Sequence, residues 1–278
     1  VSTRSDFQRY RELFINLTQR ELKGKYKRTV LGQLWSLANP LALMVVYTFV
    51  FTFIIRITPA PGDPSGLNVF ALWLLCGLLP WIFFGNVVNQ GMGAILANES
   101  LIKKVYFPRS VLVLSSTAAA SVNWLIEMLV LSVALVALGG WATILWLPLV
   151  LVFMLVLAVF ATGVALALSI ANVYFRDTQY FVAIALQLGM FLAPIIYPIS
   201  LVEDQSDRIG PLVAEITLLD VYELNPTVSF VAVFRSLLYD NDWPAVDDVI
   251  ACVLWALAAF VIGSLVFSRN QKRLAEIL

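Results

Sequence analysis

The chain has 278 residues, of which 60% are hydrophobic and 13% charged, with eighteen basic and eighteen acidic side chains. Soluble domains carry about 45–50% apolar and about 25% charged residues, so this composition, with a mean hydropathy of +0.87, excludes an ordinary soluble domain and reads as an integral membrane protein. There is no histidine and no CxxC; Cys76 and Cys252 both sit in apolar runs, which suits small buried hydrophobes and removes most zinc sites and the commonest general base.

Residues 4–30 carry Arg4, Arg9, Arg11, Arg20, Lys23, Lys25, Lys27 and Arg28. Phe7, Tyr10, Phe14 and Leu17 step by three, four and three residues, the spacing of one helix face. The spacing predicts an amphipathic helix lying on the inner membrane surface and turning at Gly32 to Pro40 into the first span; a loose basic arm is the alternative. The first 30 residues are too charged for the apolar region of a cleavable signal peptide, and the start at Val1 suggests a trimmed or renumbered terminus.

The first span is expected over about 36–57, where Leu37 to Ile55 carries no charge, a length that crosses the roughly 30 Å hydrocarbon core. The loop 58–66 holds turn formers and no Lys or Arg, as an outer loop should. Span 2 covers about 67–93, with Asn86, Asn89, Gln90, Gly91 and Gly93 near its inner end; such residues either pack helices or touch cargo. The segment 98–110 carries Lys103, Lys104 and Arg109 and belongs inside; 98–106 reads as a short helix capped by Asn98, stopped by Pro108. Span 3, about 111–138, contains Asn123 and Glu127 on one helix face. An ionised carboxylate at that depth costs about 2.5–3.5 kcal/mol, so Glu127 serves either a pathway or a hydrogen bond between helices. Span 4 is about 144–172.

The inner loop NVYFRDTQ (172–179) places Arg176 beside Asp177. Span 5, about 180–198, ends in LAPIIYPIS, where Pro194 and Pro198 should break or kink the helix. Residues 199–246 and the two that follow hold ten acids against Arg208 and Arg235. Two short apolar pieces there, 209–219 and 226–239, read as helices dipping into or lying on the outer leaflet. Span 6 is about 247–267, and the tail SRNQKRLAEIL ends inside. Fifteen of the eighteen lysines and arginines then fall on the inner side, so six spans with both termini inside satisfy the positive-inside rule at every loop.

No GxxxxGK[ST] occurs, so no ATP is bound through a P-loop and any ATP-driven engine is a separate polypeptide docking on loops 98–109 and 173–179. The strings RELKGKYKRTVLGQLWSLANPLALMVVYTFVF, NESLIKKVYFPR, NVYFRDTQY with PIIYPIS, and LNP with Phe230 and Arg235 together span nearly the whole chain. They resemble the ABC-2 permease family, and within it the polysaccharide and polyol-phosphate exporters of O-antigen, teichoic acid and mycobacterial galactan. The resemblance implies an all-α integral membrane protein with six transmembrane helices, an N-terminal interface helix and short outer re-entrant helices. It implies a homodimer with two copies of an ATP-binding subunit, which holds ATP and Mg2+, so that this chain is not an enzyme and needs no cofactor. Glu99, Leu101, Lys103, Lys104 and Tyr106 then form the main ATPase-coupling segment, with Arg176 and Asp177 a smaller contact. The implied cargo is a long glycan on undecaprenyl diphosphate, with no nucleic-acid partner.

A glycan conduit wants aromatic rings that stack and slide. Trp35, Tyr47, Phe49, Phe51 and Phe53 are candidates, though Tyr47/Phe51 and Phe49/Phe53 lie on separate stripes and one stripe faces lipid. Asn123 and Glu127 are further channel candidates. Arg20, Lys23, Lys25, Lys27 and Arg28 could meet a diphosphate headgroup or merely fix topology. Rival readings are an exporter of small hydrophobic compounds, a membrane glycosyltransferase or polymerase, and an interaction scaffold. The second wants clustered acids, often with His, at one membrane face; Glu203/Asp204 and Asp247/Asp248 read instead as solvated outer turns. The third leaves the basic inner loops and the intramembrane glutamate unexplained.

Overall fold

The computed structural model describes residues 3–25, 35–50, 54, 61–105, 107–212, 216–271 and 274. In chain order the helices are α1 (Thr3–Lys25), α2 (Trp35–Thr48), α3 (Phe70–Ala97), α4 (Glu99–Lys104), α5 (Ser110–Ala137), α6 (Thr143–Tyr174), α7 (Thr178–Gly189), α8 (Ser200–Ile209), α9 (Leu218–Glu223), α10 (Pro226–Arg235), a π-helical turn (Ser236–Asp240) and α11 (Val246–Asn270). Four of these, α3, α5, α6 and α11, are long and apolar enough to cross a membrane. At 1.5 Å per residue even the shortest of them is about 37 Å long, more than the hydrocarbon thickness.

The bundle is built on α3, which contacts α2, α5, α6, α7 and α10. Its Leu72, Leu75, Leu79, Phe83 and Ile95 are buried against Leu112 and Trp124 of α5 and Phe230 and Phe234 of α10. Lipid supplies no hydrophobic drive between helices, so close packing must hold them together. Small residues permit it: a Cβ on Gly91 would lie 2.7 Å from the Ala165 Cβ, and one on Gly263 would lie 2.0 Å from the Gly163 carbonyl oxygen. The first contact seats α3 on α6, and the second brings the backbones of α6 and α11 together.

One end of the bundle gathers the basic segments and the other the acidic ones. At the acidic end the Tyr239 hydroxyl donates to the Leu67 carbonyl at 2.8 Å and Ser65 N–H donates to the Asp240 carbonyl at 3.0 Å. The helices there are short because each start is locally dictated. Thr217 and Asp220 cap each other at the start of α9, and Asn225 caps α10 with Pro226 in its first turn, where a proline loses no helical bond.

Several expectations need correction. The turn into the first span was placed at Gly32 to Pro40, but α2 already begins at Trp35, so Pro40 lies inside it; residues 26–34, which include Lys27 and Arg28, and residues 51–53 lie outside the described residues. The sequence predicts span 5 over 180–198 with a break or kink at Pro194 and Pro198; the helix stops earlier, with α7 ending at Gly189 and residues 190–197 in turns. Pro194 explains the early stop, since its ring clashes with the carbonyl four residues back, at Met190. The outer piece expected at 209–219 is instead α8 at 200–209 and α9 at 218–223, because Gly210 adopts φ +73° and ends the helix. Of the two alternatives for the piece at 226–239, dipping into or lying on the outer leaflet, the second does not hold: Val228, Phe230, Val231, Val233 and Phe234 are buried in the core. Lastly, α1 turns part of its apolar face onto protein, with Leu17 buried and Leu13 and Phe14 packed on the core, while Tyr10 stays exposed.

Candidate functional site: a tied basic face and a polar notch

Three segments distant in sequence are joined at the basic end. The Arg20 guanidinium donates to the Asn98 side-chain oxygen at 2.6 Å and pairs with Glu21 at 2.8 Å, tying α1 to the start of α4. The Asn98 amide nitrogen donates to the Ala94 carbonyl at 2.8 Å. Asn98 therefore stands at the cap position of α4 without capping it through its side chain, because both ends of its amide are taken. Arg109 donates to the Gln271 carbonyl, tying the loop after α4 to the end of α11.

Within α4, Ile102 is buried and Leu101 packs on the core, while Lys104 and the following Val105 are exposed. Lys103 pairs with Glu99 one turn back at 2.5 Å. That hydrogen bond and charge hold the Glu99 carboxyl below its ordinary range, with a smaller pull from Arg176, so the two basic-end loops lie within electrostatic reach. Lys103 and Lys104 occupy the last turn of α4, where cations suit the helix dipole. Arg176 and Asp177 are exposed, flanked by exposed Phe175, Tyr180 and Phe181. Tyr106 and the Lys25 side chain lie outside the described residues. Arg20 and Lys23 are exposed on α1.

The aromatic candidates separate as their stripes require. Tyr47 packs on the core, whereas Trp35 and Phe49 are exposed; Phe51 and Phe53 lie outside the described residues. Asn123 and Glu127 are buried, and with Phe83, Asn86, Gln90, Ala120 and Trp124 they line a polar notch between α3 and α5. Trp124 stacks on Phe83 with centroids 4.0 Å apart, and its buried indole Nε1 has no hydrogen-bond partner among the described residues. Gln90 is exposed on the rim.

Sequence reasoning gave Arg235 and Trp124 no role. Arg235 is buried at 8% exposure, donating to the carbonyls of Pro194 at 2.5 Å and Ile195 at 2.6 Å. These are the carbonyls freed where α7 breaks. A lone cation between apolar residues in 226–239 was the available signal, since an unpaired buried charge needs dedicated partners. Trp124 offered no comparable signal in an apolar span.

The family model for ABC-2 type transporters matches residues 12–206. The O-antigen export system permease protein RfbA of Myxococcus xanthus is 32% identical over 268 residues, covering 96% of this chain and 95% of that protein. RfbA of Klebsiella pneumoniae is 27% identical, with the same shares covered. The polysialic acid transport protein KpsM of Escherichia coli is 25% identical over 73% of this chain and 76% of its own length. With four apolar helices long enough to span among the described residues, this chain belongs to the ABC-2 type transporter family and is a multi-pass membrane permease, not an enzyme.

Proposed function

We propose that this permease exports a lipid-linked polysaccharide of the O-antigen class, driven by a separate ATP-binding subunit. The observation that carries the reading is the whole-length likeness to O-antigen export permeases; the polysialic acid transporter matches over a shorter share of the chain. The working unit is two copies of this chain with two copies of the ATPase, which holds ATP and Mg2+. Both termini lie in the cytoplasm, so that the basic end faces the ATPase.

The tied basic face supports a mechanical role. α4 is short, anchored by Ile102 and bound to α1 through Arg20 and Asn98. A push on Lys103 and Lys104 therefore moves α1 and the membrane helices together rather than bending a loose loop. The exposed aromatic and charged loop around Arg176 offers a second contact. α7 and the turn after it present Phe181, Ile184, Leu188 and Phe191 as an exposed apolar surface, and α2 with the residue that follows it presents Val45, Val46 and Phe49. These faces meet the second copy around a conduit that opens when ATP closes the partner subunits, and the basic residues of α1 receive the lipid diphosphate.

The test is to purify the chain with its co-encoded ATPase in lipid and measure which lipid-linked polymers stimulate ATP hydrolysis. An undecaprenyl-diphosphate-linked O-polysaccharide or galactan should stimulate it, and the permease alone should turn over no nucleotide. Stimulation by small hydrophobic compounds but by no polymer would replace the cargo assignment.

A further inference from the structure

We propose that the notch between α3 and α5 is a hydroxyl-binding site on the conduit wall, taking one hydroxyl group of the passing glycan at a time. The proposal deepens the reading above and rests on it.

Gln90 is exposed and Asn86 half-buried in the half of membrane-spanning α3 nearer α4, with Asn123 and Glu127 buried behind them on α5. Amides facing acyl chains cost several kcal/mol unless satisfied, so this face meets water or cargo rather than lipid. Trp124 supplies the independent observation. It lines the same notch at 2% exposure, and its indole N–H finds no acceptor among the described residues. A donor so buried calls for an acceptor that arrives from outside the fold.

Size and chemistry select the ligand. The notch has room for one water-sized group, about 10 Å3, enough for a hydroxyl and too small for a sugar ring. A hydroxyl is both donor and acceptor. It can accept from the Trp124 indole and from the amides of Asn86 or Gln90, and donate to the oxygens of Asn123 or Glu127. A pyranose chain presents such groups repeatedly. Its apolar ring faces can slide past the aromatic surroundings while each hydroxyl is held briefly, and conduction needs binding that is weak and repeated.

The test uses the full permease–ATPase complex in lipid, with undecaprenyl-diphosphate-linked galactan as probe. Trp124→Phe keeps a ring against Phe83 but removes the N–H; Gln90→Leu alters the exposed rim without touching the core. Each should raise the galactan concentration for half-maximal ATPase stimulation by roughly threefold to tenfold, the range expected for one hydrogen bond. Leu129→Met on the exposed face of α5 away from the notch should not shift it. Separately, Gln90→Cys should react with a water-soluble methanethiosulfonate reagent and be protected by galactan; the native Cys76 and Cys252 are fully buried and stay silent. Galactan protection with unshifted Trp124→Phe and Gln90→Leu overturns the notch and leaves the cargo reading standing. A wild-type complex neither stimulated by nor protected by any lipid-linked polymer overturns the cargo reading, and the notch with it.

Discussion

The guanidinium of Arg235 lies 3.5 Å from the centroid of the Trp73 ring. It donates to the carbonyls of Pro194 and Ile195 at the same time, and Gly77 leaves it room, since a Cβ there would come within 3.3 Å of Nη2. One side chain thus locks α10, α3 and the broken end of α7 into a single body. Hydrogen bonds to a charged group contribute about 1.5–3 kcal/mol each. Arg235→Met should therefore destabilise the protein by roughly 3 kcal/mol or more, because two buried carbonyls lose their donors. Arg235→Lys should fall between, keeping the charge while losing the planar fork that reaches both carbonyls. Thermal melts of detergent-purified protein followed by size-exclusion recovery would check this order; equal melting of Lys and Met variants would refute the forked tether.

The tie between Arg20 and Asn98 makes a sharper statement about coupling. If the contact transmits motion between α1 and α4, Arg20→Ala and Asn98→Ala should each lower export, and the double variant should do little more than either. Contacting residues commonly deviate from additivity by about 0.5–3 kcal/mol, a twofold to hundredfold effect on a rate. A double-mutant cycle on export per ATP hydrolysed would read it. Strict additivity would mean the two residues act separately. Lys103→Glu with Lys104→Glu should go further, lowering export while the permease still inserts in the membrane. Unaltered export would remove α4 from the docking surface.

What was legible in the sequence was local. The ends of α3, α5, α6 and α11 are marked by loops rich in turn formers or charge, and each helix is predominantly apolar between them. The helical membrane class follows from such runs, whereas the ABC-2 family was legible only as a resemblance of particular strings such as NESLIKKVYFPR and NVYFRDTQY. Pairings set by the tertiary fold were not legible. Asn98 looked like a helix cap because its partner Arg20 lies 78 residues upstream. Arg235 carried no structural role because its two acceptors lie about 40 residues away, and the break expected at Pro194 does not say which side chain receives the carbonyls it frees. Likewise the length of the outer segment at 226–239 left open whether it dips in or lies on the leaflet, and only the packing of Phe230 and Phe234 into the core decides it. Asn123 and Glu127 were visible as polar residues in a span, but the notch they form depends on Asn86 and Gln90 arriving from α3.

Glycine positions divide cleanly between tolerant and intolerant. Gly263→Ala places a methyl 2.0 Å from the Gly163 oxygen, and Gly163→Ala places one 2.3 Å from the Ala259 backbone. Neither neighbour can swing aside, so α6 and α11 must move apart. Overpacking of this kind costs about 1–3 kcal/mol or more, and both variants should show reduced folded yield. Gly93→Ala meets nothing within 4 Å and should be neutral or slightly stabilising, since alanine favours helix by about 1 kcal/mol. Folded yield on detergent extraction of the three variants in one host would check this; tolerance of Gly263→Ala would contradict the close crossing.

Asp240 gives the acidic end a pH dependence of definite sign. Burial lifts its carboxyl from 3.8 to about 6 against the pull of Arg235, with Asp242 and Asp63 pushing it up and a hydrogen bond from the Asp63 backbone holding it down. The folded state therefore binds this proton more tightly than the unfolded chain does. Its contribution to stability is full below pH 3.8 and is lost as pH rises through about 6. Because the Asp240 carbonyl also receives Ser65 N–H, the loss should loosen the loop over 61–66 as well. Asp240→Asn keeps the shape and removes the charge, so at pH 7 it should melt higher than wild type. Between about pH 4 and 6 the difference between the two proteins should grow with pH. Paired thermal melts across that window measure it. A difference that stays constant, or shrinks as pH rises, would show that the Asp240 carboxyl ionises without opposition.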